Sequence, residues 1–569
     1  MASAKIDGVD ARRALMLVYY RAKEVEKQAS EPPPYSSEPP STQASSLDIG
    51  TEAKPEVHSV FDKLDFTPSP LELPTAAECI VHLKLLYAFA KLRYDVGNQE
   101  GIFGIDLEKG EDAKEEAPEG GVSHQPDGVH TQNQTNATGS AHPPIDEQKV
   151  AAALGERIRE KRWSVFVTKA VDRFERWWNS LSSKANPAFL PLTTDDFESV
   201  PNRNLPFQYD MPGLEGWGSH ILPPLDILMV WHSYMLNPRD YFEDCVRLSR
   251  HELWRTPFPW KAIHEAIDNE TYVYTAPKEA TDTFKESPGI QWHSADDDRQ
   301  KLVLCPKCLN SVQVPWTRPP ITTGPEAIEV YLNNDNGFAG PHFQEACPQC
   351  YFMITHEKLR VGKFINDVKA LSLLKRPLPG TVLNSLGCPQ TVITGKPLGA
   401  HDPFFPNRMV EKLPEFSHQA LQTNIENMSI EKLKSMIENV IKPQSKWKME
   451  IVNSEQSIPN LVAKYSKIAI RKMLSNYWDN SSVFGLDLVG AVLRQGTFVL
   501  KMRKIDWLNS PAVMTTMQRL IVQYHRFIRI IADNPRKVAV PTLAVDLAWV
   551  SPLLPFPSPL SIHYTDTQF

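Results

Sequence analysis

The chain has 569 residues, of which 41% are hydrophobic, with 24 Phe, 13 Trp and 16 Tyr. That is enough to build a sizeable core in about two to four domains. A formal charge of −7 provides no global field to draw phosphate backbones, which excludes wholesale coating of nucleic acid. Seven cysteines in so long a chain do not make a secreted disulfide framework.

Residues 1–30 read as an N-terminal helical segment. The string "MASAKIDGVDARRALMLVYYRAKE" has charges on both sides of a short apolar run and no signal-peptide cleavage site. No stretch approaches the roughly eighteen uncharged apolar residues of a membrane span. The expected compartment is intracellular, cytoplasmic by default, so the sequons at Asn133, Asn136, Asn269, Asn427 and Asn480 carry little meaning. Residues 31–68 open with "EPPPYSSEPPSTQASSLDIG" and read as a disordered linker.

The first helical half is expected over 69–300. Thr75 with Glu78 three residues on forms a capping-box pattern, and Cys79, Leu83, Leu86, Phe89, Ala90 and Leu92 follow at helical spacing. A disordered insertion is expected at 108–147, where almost nothing can be buried. Trp163, Phe166, Val167, Ala170, Val171, Phe174 and Trp177 then form one stripe of an amphipathic, core-facing helix. In "LPPLDILMVWHSYMLNPRDYFEDCVRL", Pro223-Pro224 starts a helix. Asn237 and Pro238 stop it and open another, with Asp240 near the positive end of the second dipole. The hairpin lacks the basic charge a DNA reader needs.

Over 301–365 the texture turns β-branched and alternating, which suits a small zinc-ribbon-like module. Helical patterns return over 366–549, in "SIEKLKSMIENVI", "IPNLVAKYSKIAIRKMLSNYW", "SSVFGLDLVGAVLRQGTFVLKMRKIDWL" and "SPAVMTTMQRLIVQYHRFIRIIADNP". The expected fold is mainly α, with a β-rich metal module inserted. An internal duplication is suggested by aligning Trp231 with Trp549, which matches Leu225 to Leu543 and leaves Asp226 and Asp546 two positions apart. The tail 550–569 is proline-rich and atypical.

The strongest chemical signal is Cys305-x-x-Cys308 with Cys347-x-x-Cys350. A CxxC turn lets two sulfurs converge on one ion, and two such turns complete a tetrahedral thiolate shell. Pro306 and Pro348 give matched CPxC turns, and the 38 residues between them require a bulging loop. Structural zinc is the expected occupant. Four reduced buried thiols and a thioredoxin-like redox pair are the alternatives.

His232, beside Trp231, shares a helix face with Leu225, Leu228 and Met229. It reads either as a core-edge histidine or as a metal ligand or general base. Asp226 lies on another face of the same helix. Asp546 would pair at i,i+4 with position 550, but Val550 stands there. Trp177, Trp178 and Trp316 read as packing anchors, and Cys79, Cys245 and Cys388 as core thiols. There is no Walker A loop, GxGxxG, GxSxG or HExxH, and no His-x-Asp or His-x-Glu, which weighs against a facial triad.

The strings "ECIVHLKLLYAFAKLR", "PPLDILMVWHSYMLNPRDYFEDC", "LDLVGAVLRQGTFVLKM" and "VPTLAVDLAW" together resemble the fungal glycine-rich domain-containing proteins. That family is defined by a domain of unknown function with paired Trp-His motifs. The resemblance implies an α-rich domain and no established reaction. Plant relatives carry a glycine-rich tail linked to RNA-related or regulatory roles. The 26 glycines here are scattered, so RNA binding does not carry over. Family members continue the second motif as Trp-His-x-His, whereas Trp549 is followed by Val550, Ser551 and Pro552. A change of reading frame or splice choice after Trp549 is the expectation this departure raises.

The leading functional expectation is a scaffold or interaction protein with a structural zinc site and protein partners. A metal-dependent enzyme using His232, of the oxygenase type with which some family members are labelled, is the rival. Another His, Asp or Glu converging on His232 would favour it. Nucleic-acid binding through the zinc module, near Lys301, Lys307 and Arg318, is a third possibility.

Overall fold

The computed structural model describes residues 60–67, 73–105, 147–181, 192–198, 218–250, 253–254, 256–285, 290–320, 324–383, 403–440, 459–534 and 539–550. The segment 1–30, residues 31–59 of the linker, the insertion up to 146 and the tail from 551 lie outside them. The architecture is mainly helical, with two small two-stranded sheets among the described residues.

Helix α1 (Ala76–Asn98) starts at the expected capping box. The Thr75 hydroxyl accepts from the Glu78 amide at 3.1 Å, and the Glu78 carboxylate accepts from the Thr75 amide at 2.7 Å. Such a cap contributes about 1 kcal/mol. Beyond it, α1 buries every residue from Cys79 to Ala90, more than the single stripe its spacing suggested. Neighbours pack on all sides of it: α2 (Glu147–Ser180), α5 (Trp260–Ala266), α12 (Leu488–Ile505) and α13 (Val513–Asp533). Even Lys84 lies inside, its ammonium donating to the Ile267 carbonyl at 2.8 Å and to Asn269 Oδ1 at 2.6 Å. Residues 60–67 join the same core, with Phe61 buried under the Lys84 ammonium. The compact part therefore starts before Ser69.

The hairpin is α3 (Leu225–Met235) followed by α4 (Pro238–Arg247). Pro238 sits at the start of α4 as expected, but Asn237 turns its side chain back to donate to the Ser233 carbonyl at 3.0 Å instead of capping α4.

Two hydrophobic cores form. One gathers α1, the C-terminal part of α2, α3, α4, α5, α12 and α13. The other gathers the module strands with α6 (Pro325–Asn334), α7 (His356–Leu374), α8 (Phe405–Lys412), α10 (Ile430–Val440) and α11 (Pro459–Trp478). Helix α2 serves both: Leu154, Ile158 and Val165 enter the second core, while the expected stripe from Trp163 to Trp177 enters the first. A helix of 34 residues spans about 51 Å, long enough for both tasks. Buried charges stitch the cores together. Arg247 of α4 donates to the Pro377 carbonyl at 3.0 Å and pairs with Asp367 of α7 at 3.6 Å, and the Lys363 ammonium donates to the carbonyls of Phe484 at 2.6 Å and Asn476 at 3.0 Å.

Candidate metal centre

Strands β1 (Gln300–Leu304) and β2 (Ser311–Pro315) form an antiparallel hairpin whose tip is the first CPxC turn. Strands β3 (Gln344–Ala346) and β4 (Met353–Thr355) form a second hairpin around the other turn. The two tips share one geometry. The Cys305 amide donates to the Asn310 carbonyl at 2.8 Å, and the Cys347 amide to Phe352 at 2.9 Å. The residue after each second cysteine, Leu309 or Tyr351, is left-handed at φ 63° or 57°. That turn frees the amides of residues 307 and 308 to donate to the Cys305 sulfur, and those of 349 and 350 to donate to Cys347.

The four sulfurs meet, all within 4.8 Å of one another. Cys305 Sγ lies 3.7 Å from Cys350 Sγ, and Cys308 Sγ lies 3.6 Å from Cys347 Sγ. These gaps are far too long for a disulfide of about 2.05 Å. A tetrahedral ion at a metal–sulfur distance of about 2.3 Å sets sulfurs about 3.8 Å apart, so the cluster fits one ion. Burial pushes the Cys305 thiol up to about 12. Burial also opposes ionisation of Cys347, but the amides of Cys350 and Gln349 and the thiols of Cys308 and Cys350 outweigh it and draw Cys347 down to about 6. Close thiols of unequal acidity are what a cation equalises, since it binds thiolate.

The module is held from behind. Gly362 of α7 lies so close to the first knuckle that a Cβ there would stand 2.8 Å from Pro306 Cβ. Gln422, in the short helix α9 (His418–Thr423), donates to the carbonyls of Pro306 and Lys307. The bulging loop contains α6, which sequence reading did not anticipate. Asp335 locks it by accepting from Thr317 Oγ1 at 2.7 Å, from the Gly337 amide at 2.9 Å and from Lys161 at 2.6 Å. The cations considered for nucleic acid are already engaged. Lys301 pairs with Asp172, Lys307 with Glu426 and Arg318 with Glu345.

His232 is the second place where sequence and geometry meet. Its Nε2 lies 3.1 Å from Nε2 of His82 on α1, and both rings are fully buried. Burial pushes His82 down to about 3 and His232 well below its ordinary value, with His82 adding to the second shift. Both are therefore neutral near pH 7, one ring donating to the other. His82 also bonds the backbone of Leu547, in α14 (Leu543–Val550). His232 Nδ1 is buried with no hydrogen-bond partner. Phe89, Phe258 and Trp260 enclose the pair, and among the described residues no third His, Cys, Asp or Glu joins it. The sequence signal for His82 was slight: a lone histidine in an apolar run, 150 residues from its partner.

The other candidates lie apart. Asp226 accepts from buried Arg173 at 2.6 Å, and Asp297 takes the other side of the same guanidinium. Trp231 donates to the Tyr241 hydroxyl at 3.2 Å and packs on Phe258. Asp546 is half-buried, which pushes its carboxyl up to about 6. Trp549 packs on Tyr524 and Phe527 of α13. Cys79 and Cys245 are buried and in no disulfide, and Trp316 is a buried anchor. Cys388 lies outside the described residues.

Comparison with family models, with curated proteins and with solved structures finds no match. Among the described residues no helix is long and apolar enough to cross a membrane.

Proposed function

We propose that this chain is a non-catalytic interaction protein whose helical body is pinned by one structural zinc ion at Cys305, Cys308, Cys347 and Cys350. The observation that carries the reading is the sulfur spacing, 3.6 and 3.7 Å across the two knuckles. Four sulfur ligands leave zinc no open position for a reactant, so such an ion folds the chain and takes no part in chemistry. All-thiolate donors favour zinc over magnesium, calcium or manganese. The resemblance to fungal glycine-rich domain-containing proteins is compatible with this role and assigns no reaction. Removing the metal with a chelator tests it: amide exchange should quicken over 300–356 while the core around α1 keeps its protection. A chelated protein with unchanged exchange over 300–356 sinks the proposal.

One observation favours the rival reading, a metal enzyme at His232: the approach of His82 to 3.1 Å. Against it stand the complete burial of both rings and the lack of a third ligand among the described residues. A His82→Ala variant separates the two. An enzyme site loses a bound metal equivalent, whereas a neutral packed pair loses stability and no metal.

A further inference from the structure

A cleft of about 790 Å³ lies between the metal module, α2, α7 and the start of α12. On the module side it is lined by the run 301–306, Leu309, the loop 338–341 and His356, with no contribution from β2. The ladder explains why. The Cys305 amide donates to Asn310, and the Trp316 amide to Arg299, so odd-numbered residues of β1 face β2. In an antiparallel pair the alternate residues turn their backbone groups the other way. The amides and carbonyls of Leu302 and Leu304 therefore point out of the sheet's open edge, and they meet no hydrogen-bond partner among the described residues.

Their side chains are also uncovered, 63% and 57% exposed. Leu309, Val483 and Leu493 add exposed apolar surface to the same cleft. Open edges are normally blunted by charge, proline or a covering element. The nearest charge, Lys301, is instead folded away onto Asp172 and over the rings of Trp316 and Phe338.

We propose that the open edge of β1 docks an extended peptide segment of a partner protein, which adds to β1–β2 as a third strand. This rests on the reading of the chain as an interaction protein and names its binding site. The edge specifies the occupant. Its outward amides and carbonyls require extended backbone. Leu302 and Leu304 call for apolar residues at alternate positions. The lining of the cleft also carries Glu175 and Arg360, which suits polar or charged side chains at the intervening positions. A second copy of this chain seated on the same edge is an outcome the test below separates.

The test uses the full, zinc-loaded chain and a display library of short random peptides, followed by affinity measurement on a synthesised binder. Leu302→Pro removes an outward amide and no ladder bond, and Leu304→Arg adds a charge beside the edge without touching the backbone. Each should weaken the peptide about tenfold or more, the equivalent of about one lost hydrogen bond or apolar contact. Zinc content and thermal midpoint should not change. In the free protein the amides of Leu302 and Leu304 should exchange fast, and bound peptide should protect them. A library without a binder, a peptide indifferent to both variants, amides already protected, or self-association abolished by Leu304→Arg overturns the proposal. Each of these can occur with zinc retained, so the docking edge can fail while the structural metal stands.

Discussion

Acid should destabilise the core around His82 and His232 by an amount the geometry fixes. Both rings are fully buried, and His82 is pushed down to about 3, with His232 also well below its ordinary value. An unfolded chain restores both to about 6.5. A depressed histidine contributes stability that is fully present above its unfolded value and is lost as pH falls below it. At pH 5 His82 costs about 2 kcal/mol, and His232 adds a cost of the same sign, because the unfolded chain takes up protons the folded one refuses. Urea titration at pH 7 and pH 5 measures this through tryptophan fluorescence, to which Trp260, packed on His82, contributes. Asp240 and Asp546 work in the opposite sense: burial pushes them up to about 7 and about 6, so acid stabilises them over the same range. The readout is therefore the difference between the native chain and a His82→Leu/His232→Leu variant. The variant should lose at least about 2 kcal/mol less on going from pH 7 to pH 5, the share set by His82 alone. An equal loss in both proteins would refute the claim that this pair is buried and neutral.

Three further perturbations reach other parts of the molecule. Cys347→Ser should abolish stoichiometric metal binding and expose the amides of 300–356 to exchange, since a structural zinc site contributes roughly 10 kcal/mol or more to folding its own module; elemental analysis and hydrogen exchange check it. Asp226→Asn leaves Arg173 with Asp297 as its remaining counter-ion. The cost should be about 2 kcal/mol by chemical denaturation, below the 3–5 kcal/mol of a fully orphaned buried charge. Gly362→Ala sets a methyl 2.8 Å from Pro306 Cβ, so the knuckle must shift. That should cost about 1–3 kcal/mol and speed zinc transfer to a chromogenic chelator.

What the sequence disclosed was local. The cap at Thr75 and Glu78 spans one helical turn, and each CPxC turn dictates its own hairpin tip, so both could be read from neighbouring residues. The convergence of the two tips followed from valence: two sulfurs leave a tetrahedral ion unfinished. His82 could not be found this way, because α1 and α3 bring it to His232 only through tertiary packing. The same limit hid Asp172, Glu426 and Glu345, which turn the module's apparent basic patch into a set of ion pairs. It also hid the open edge of β1. Alternation announces a strand, but which side lacks a neighbour depends on where α2, α7 and α12 stand.

X-ray absorption at the zinc edge, with metal content measured on the same sample, addresses the pinned module most directly. One zinc per chain in a shell of four sulfurs at about 2.3 Å is the expected result. A content well below one equivalent, or a shell containing nitrogen or oxygen, would contradict it.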